Sequence, residues 1–212
     1  MTMKFLLRWL ERGLLATGAA LGVWCAVVLV EARYTQSMPI PRLVVTQTVL
    51  PGEANNPDRH ALPAPAPGAW VARLEMPSVT LSTTVLEGTD DRTLSRGSGH
   101  IEDTPFPGQA GNIGIAGHRD TVFRPLRNIH LGDALNLTTA DRVYHYKISK
   151  TLIVGPDDVY VLDPTAHPTL TLVTCYPFEF VGHAPRRFIV QADLVSDETR
   201  AAEAAESGRP GK

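Results

Sequence analysis

At 212 residues the chain has room for one folded domain plus appendages, since a domain usually takes roughly 100 to 200 residues. A formal net charge of -2 gives no basic field for nucleic acid. Gly 17 and Pro 17 are high for a helical protein and suit strands joined by turns.

In chain order, Lys4, Arg8 and Arg12 precede a charge-free run from Gly13 to Val30. Such a run is at the short end of what crosses a bilayer as a helix. Residues 13–32 therefore read as a single transmembrane anchor, with Trp9 and Tyr34 as interfacial aromatics. By the positive-inside rule, residues 1–12 stay in the cytoplasm and the rest of the chain works outside it. A cleaved signal peptide is the alternative, but Val30-Glu31-Ala32 is a poor small-residue cleavage site. Residues 33–68 include Pro39, Pro41, Pro51, Pro57, Pro63, Pro65 and Pro67. This composition builds no core and reads as an extended extracytoplasmic stalk. Arg42 to Leu50 inside it could pair or pack as a short element, a point the sequence leaves open.

The folded domain is expected over 69–195. Strand candidates are 69–76, 79–87, 112–117, 133–139, 142–154, 159–162, 169–175 and 187–195, separated by turn signals such as Met76-Pro77-Ser78, Leu131-Gly132 and Gly155-Pro156. Short helical turns are predicted at 92–96 and 120–128. Many strands with little helical periodicity argue for an all-β barrel or sandwich rich in antiparallel pairs, and closing the sheet removes exposed edges. The tail, 196–212, is Ala/Glu/Gly-rich without an aromatic anchor and is expected to be disordered.

The cysteines are Cys25, inside the apolar run, and Cys175. That separation argues against a structural disulfide, and a lone thiol on an exported domain is a candidate reactive group. From Thr169 to Cys175 the residues alternate with a period of two, so Leu170 and Leu172 face a core while Thr171, Val173 and Cys175 face the other way. Pro177 cannot donate to a ladder, so the strand ends near the thiol. A nucleophilic thiol needs a base and a positive group nearby. His118 ends the apolar strand Asn112-Ile-Gly-Ile-Ala-Gly-His118. Arg187 opens a strand in which Phe188, Val190, Ala192 and Leu194 alternate toward the core, which puts the arginine on the non-core face, like Cys175. Histidine can act as acid and base near neutral pH, and arginine can hold a carbonyl or oxyanion.

With Thr171-Leu-Val-Thr-Cys175, Gly111 to Phe123 (GNIGIAGHRDTVF) upstream and Arg187-Phe-Ile-Val190 downstream, the chain resembles the sortases. The run from Thr174 to Val190 (TCYPFEFVGHAPRRFIV) is most like their class D branch. The resemblance covers about residues 69–195 and implies a closed eight-stranded β-barrel with short helices, preceded by the transmembrane helix. It implies a cysteine transpeptidase with Cys175 as nucleophile, His118 as general acid/base and Arg187 as the positioning or oxyanion-stabilising group. The substrate so implied is an LPxTG-like sorting signal on a surface protein, cleaved after Thr through a thioacyl-enzyme. The acceptor is an amine of a cell-wall precursor or a pilin lysine, and the loop 155–168 is where sortases hold the segment that reads the signal.

Plainer readings stand beside these. Arg186 adjoins Arg187, and an ion pair would account for either; His183 is a rival base in a Gly-His-Ala-Pro loop; His100 reads as a buried, hydrogen-bonded framework residue. His60, His130, His145 and His167 show no ligand spacing, and no cysteine-histidine cluster or phosphate-binding glycine loop stands out, so neither cofactor nor metal is expected. Asp157-Asp158 could suggest calcium but more simply forms a solvated turn. The functional alternatives are a cysteine peptidase that mainly hydrolyses and a non-catalytic surface scaffold.

Overall fold

The structure, a computed structural model, describes residues 3–37, 40, 65–180 and 182–199. Most of the Pro-rich segment and the end of the C-terminal tail, including the short element expected at 42–50, lie outside the described residues.

The first element, α1 (Met3–Gln36), contains the expected apolar span but runs beyond its expected end at residue 32. None of the apolar span is buried against the rest of the protein, and its length and composition suit a membrane anchor. Helix continues from Arg33 to Gln36, over the first residues expected in the stalk.

Eight strands follow: β1 (Trp70–Met76), β2 (Leu81–Glu87), β3 (Ser98–His100), β4 (Asn112–Ala116), β5 (Ala134–Thr138), β6 (Arg142–Val154), β7 (Thr169–Tyr176) and β8 (Arg186–Thr199). They close into a barrel in the order β1-β2-β3-β4-β7-β8-β6-β5, with β5 returning to β1. Most neighbours are antiparallel; β2–β3 and β4–β7 are parallel. A six-residue helix, α2 (Asp91–Arg96), carries the chain from β2 to β3. Among the described residues, closure leaves no long open edge.

The interior is filled mainly by alternate residues of the longer strands. Leu170 and Leu172 of β7, Ile113 and Ile115 of β4, and Val190 and Ala192 of β8 all lie in the main core. The opposite face of the β4-β7-β8 wall is partly covered as well. Val161 packs there with Val154 and Ile189, and Leu152, Leu162 and Val173 lie against them.

Three strand expectations are corrected. Residues 159–162 form a 3₁₀ turn rather than a strand. Val159 and Tyr160 are exposed, and only Val161 is buried, so a short apolar run lacking a strand partner packs as a plug instead. The unexpected strand is β3. Its Ser-Gly-His has no alternation to read and exists because Val85–Glu87 on one side and Ile115–Ala116 on the other supply ladders. Finally, β8 runs past 195. Ser196 to Thr199 pair with Arg142 to His145, aided by an Arg142–Asp197 ion pair at 2.6 Å, so the first residues assigned to the tail belong to the barrel.

Asn112 ties the plug to the wall. Its Nδ2 donates to the Val161 carbonyl at 2.9 Å and the Asp163 carbonyl at 3.2 Å, and its Oδ1 accepts from Thr171 Oγ1 at 2.6 Å. Asn112→Ala leaves the Asp163 carbonyl and the Thr171 hydroxyl short of a partner. It is expected to cost about 1–3 kcal/mol, read as a lower midpoint in chemical unfolding of the full chain. An unchanged midpoint would mean that the apolar contacts and the Gln191 bond to the Val161 carbonyl hold the plug without Asn112.

Candidate active site

The position of the thiol follows from strand register. Cys175 stands directly opposite Arg187 in the antiparallel β7–β8 pair. Side chains of opposed residues share a face, so these two project to the same side. On the other flank of β7, Ala116 of β4 is level with Val173, and the strands are parallel. Two residues on from each, His118 and Cys175 come level. The match is carried past the strand end by Gly117 N donating to the Val173 carbonyl at 3.1 Å and Thr174 Oγ1 donating to the Gly117 carbonyl at 2.7 Å. With adjacent strands roughly 4.8 Å apart, imidazole, thiol and guanidinium become neighbours across one wall.

All three line one open cleft of about 530 Å³, together with Asp91, Arg119, Asp120, Gly182, His183 and Ala184. Cys175 and Arg187 are half-buried and His118 is exposed. The three expected residues are thus brought together beyond the plug at 159–162, on the outer face of the barrel wall near the strand ends. Arg187 donates to the carbonyls of Ala184 at 3.3 Å and Arg186 at 3.1 Å.

The turn carrying His118 is tightly built. The His118 carbonyl accepts from Phe123 N at 3.1 Å, and the fully buried Phe123 ring packs on Gly117. A Cβ at Gly117 would come within 2.7 Å of that ring, so only glycine fits there.

Arg119 is the site residue that sequence reasoning passed over. It is 6% exposed and donates to three main-chain carbonyls of the β7–β8 connection: Pro177 at 3.1 Å, Phe180 at 2.5 Å and Gly182 at 3.0 Å. It also lies 5.9 Å from the Phe180 ring centroid. The planar fork of the guanidinium suits several convergent acceptors. Arg119 thereby fastens the connection that carries His183 and leads to Arg187 onto the turn that carries His118. Its position in Gly-His-Arg gave no warning, because its acceptors are backbone atoms with no signature in side-chain identity.

Asp91, also unforeseen, begins α2. The preceding Asp90 caps that helix: its carboxylate accepts from the Thr93 hydroxyl and from the Arg92 and Thr93 amides, which hold it below the usual carboxylate range.

Of the rivals, His183 shares the cleft but is exposed on the connection, and Arg186 opposes Tyr176 rather than the thiol. His100 is buried, bonded through Nδ1 to Glu87 at 2.9 Å and stacked on Phe106 at 4.4 Å. Burial raises the Glu87 carboxyl above its ordinary value, against the opposing pull of His100. His145 bonds Asn136 and Glu198 on the β5–β6–β8 surface. Asp158 accepts from Gly155 N at 2.6 Å, as a turn residue does. Among the described residues no group of three His, Cys, Asp or Glu is placed to hold a metal. Both cysteines are free.

A family model described as Sortase domain matches residues 74–195. Sortase D of Bacillus subtilis (strain 168) is 38% identical over 133 residues, which cover 62% of this chain and 67% of that protein. Among solved structures, a Clostridium perfringens Sortase D5 transpeptidase superposes with a TM-score of 0.56 at 31% identity, over 61% of this chain and 81% of that one. Sortase E1 from Streptomyces coelicolor, determined with a tripeptide in its active site, gives a TM-score of 0.59 at 31% identity, over 69% of this chain and 98% of that one.

If Arg119 positions the connection, Arg119→Ala should lower the unfolding midpoint modestly and lower alkylation selectivity at Cys175. A bulky N-substituted maleimide is then expected to react nearly as fast as N-ethylmaleimide, because the connection carrying Gly182 and His183 is released. Arg119→Lys, which keeps the charge but loses the fork, should fall between. Identical reactivity ratios in all three proteins would show that the wall stands without those bonds.

Proposed function

The chain belongs to the sortase family of cysteine transpeptidases, and from that premise we propose that Cys175 is its nucleophile, His118 its general acid/base and Arg187 its oxyanion-stabilising group. The observation that carries this reading is the shared register: the sulfhydryl faces Arg187 across one strand pair and stands level with His118 across the other, at a single cleft.

The donor is an LPxTG-like sorting signal on a surface protein. His118 takes the thiol proton and the thiolate attacks the carbonyl that follows the threonine of the signal. Arg187 turns from its local carbonyls to meet the negative charge that develops on the oxygen. As the C–N bond breaks, the imidazolium returns its proton to the departing amine, leaving a thioester on Cys175. An incoming amine, from a cell-wall precursor or a pilin lysine, gives up a proton to His118 and attacks the thioester. A new amide forms and the sulfur leaves, regaining its proton. Water can replace the amine, which yields hydrolysis. The connection 155–168, plugged onto the same wall through Val161 and Asn112, is the segment that reads the signal.

The apolar α1 suits an uncleaved single-pass anchor. With Lys4, Arg8 and Arg12 on the cytoplasmic side, the barrel lies outside the cell membrane.

The test is mass spectrometry of products from the full chain in detergent, supplied with an LPxTG-containing peptide and excess amine. Ligated product is expected from the wild type and none from Cys175→Ala. His118→Ala should lose on the order of 10²–10⁴ in turnover and Arg187→Ala on the order of 10²–10³, each with an unchanged unfolding midpoint. His183→Ala should stay near the wild-type rate. Near-wild-type turnover by His118→Ala, or release of the free acid alone at saturating amine, would contradict the assignment.

A further inference from the structure

The end of α1 does not hang free of the barrel. Thr35 is fully buried although most of the helix is exposed, and its carbonyl accepts from Thr84 Oγ1 of β2 at 2.9 Å. The side-chain amide of Gln36 is used completely. Its Nε2 donates to the Arg96 carbonyl at 2.9 Å and Thr83 Oγ1 at 3.3 Å, and its Oε1 accepts from Thr84 N at 2.9 Å. The Gln36 carbonyl accepts from Arg73 of β1 at 2.7 Å. One turn earlier, Glu31 faces Arg96 at 3.5 Å.

The place of contact has a physical reason. On β2 the short β3 reaches only Val85–Glu87, so among the described residues β2 is left without a strand partner on that side at Thr83 and Thr84. The amide of Gln36 serves there as a substitute peptide group and covers the exposed edge. Gly97 allows the approach. A Cβ at that position would lie 2.5 Å from the Thr84 carbonyl oxygen and 3.1 Å from Gln36 Nε2.

Two consequences concern distance. The chain leaves at Gln36 beside Arg96 and returns at Gly68, whose Cβ position is 3.6 Å from the Arg96 guanidinium. Both ends of the Pro-rich segment therefore meet at the C-terminus of α2. The same six-residue helix begins with Asp91, which lines the cleft with Cys175. Six residues span about 9 Å, and Glu31 is the first charge after the apolar run, where a helix that spans a bilayer would reach water.

We propose that this docking makes the anchor helix and the barrel one unit that holds the Cys175 cleft against the membrane surface. The cleft then serves reactants presented at the bilayer in preference to those in free solution. This consequence rests on the transpeptidase reading, but the placement itself does not.

Placement is tested by thiol labelling, which needs no turnover. The full chain carrying Cys25→Ser, which leaves Cys175 as the sole thiol, is reconstituted in phosphatidylcholine–phosphatidylglycerol vesicles. It is exposed either to N-ethylmaleimide in solution or to a lipid bearing maleimide on its headgroup through a short linker. Two further proteins are compared. Gln36→Ala/Thr84→Val removes the docking bonds. A flexible Gly-Ser insertion between Arg33 and Tyr34 leaves Thr35 and Gln36 on the barrel but frees that unit from the bilayer. Lipid-borne labelling of Cys175 is expected in the parent and should fall several-fold in both variants, as effective concentration falls with tether length, while the N-ethylmaleimide rate stays constant. Equal lipid-borne labelling in all three proteins overturns the proposal. So does labelling of the parent by the soluble probe alone, or a parallel fall with both probes, since docking would then support the shape of the cleft and not its placement. Any of these outcomes alongside normal peptide ligation sinks the placement and leaves the chemistry standing.

Discussion

Everything at the cleft depends on the register of three adjacent strands. β7 runs parallel to β4 and antiparallel to β8, and the two ladders fix which residues stand beside Cys175. Because side chains alternate, a one-residue slip in either ladder would turn the thiol inward or its partners away. That slip is blocked by the core: Leu170 and Leu172 point into the barrel, and shifting them would expose apolar groups that are now fully buried. The hydrophobic interior thus sets the geometry of polar groups that it never touches.

A second layer of constraints takes over where the ladders end. Thr174 bonds the Gly117 carbonyl, Phe123 packs against Gly117, and Arg119 gathers three carbonyls of the β7–β8 connection. These bonds extend order from the strands into turns that would otherwise be free to move, and residues in such loops can then hold a reactive geometry. A related device operates at the far end of α2, where the Gln36 amide completes an edge that β3 is too short to cover. The cleft and α1 are joined by the same small helix.

The wall that carries Cys175 was legible in the sequence because its signals are local. Period-two alternation in 169–175 and 188–194 assigned faces correctly, and Pro177 marked where β7 would stop near the thiol. The sequence was blind to features created by partners. β3 carries no pattern of its own and forms because two neighbours offer it ladders. The plug at 159–162 has the composition of a strand, yet its carbonyls are claimed by side chains, Val161 by Asn112 and Gln191, and Asp163 next to it by Asn112. Arg119 bonds backbone atoms, which any residue supplies. The end of α1 from residue 33 onward looked like the start of a linker because its polar residues Thr35 and Gln36 gain their partners from the folded barrel.

The central claim is that Cys175 forms a thioester with the acyl part of a sorting signal, and covalent trapping addresses it most directly. The full chain, mixed briefly with a library of LPxTG-like peptides and quenched in acid without any amine acceptor, is digested and mapped by mass spectrometry. The account requires an added acyl mass, ending in threonine, on the fragment that contains Cys175, with its sequence reporting the preferred signal. An adduct found elsewhere, or no adduct while peptide is consumed, would contradict it.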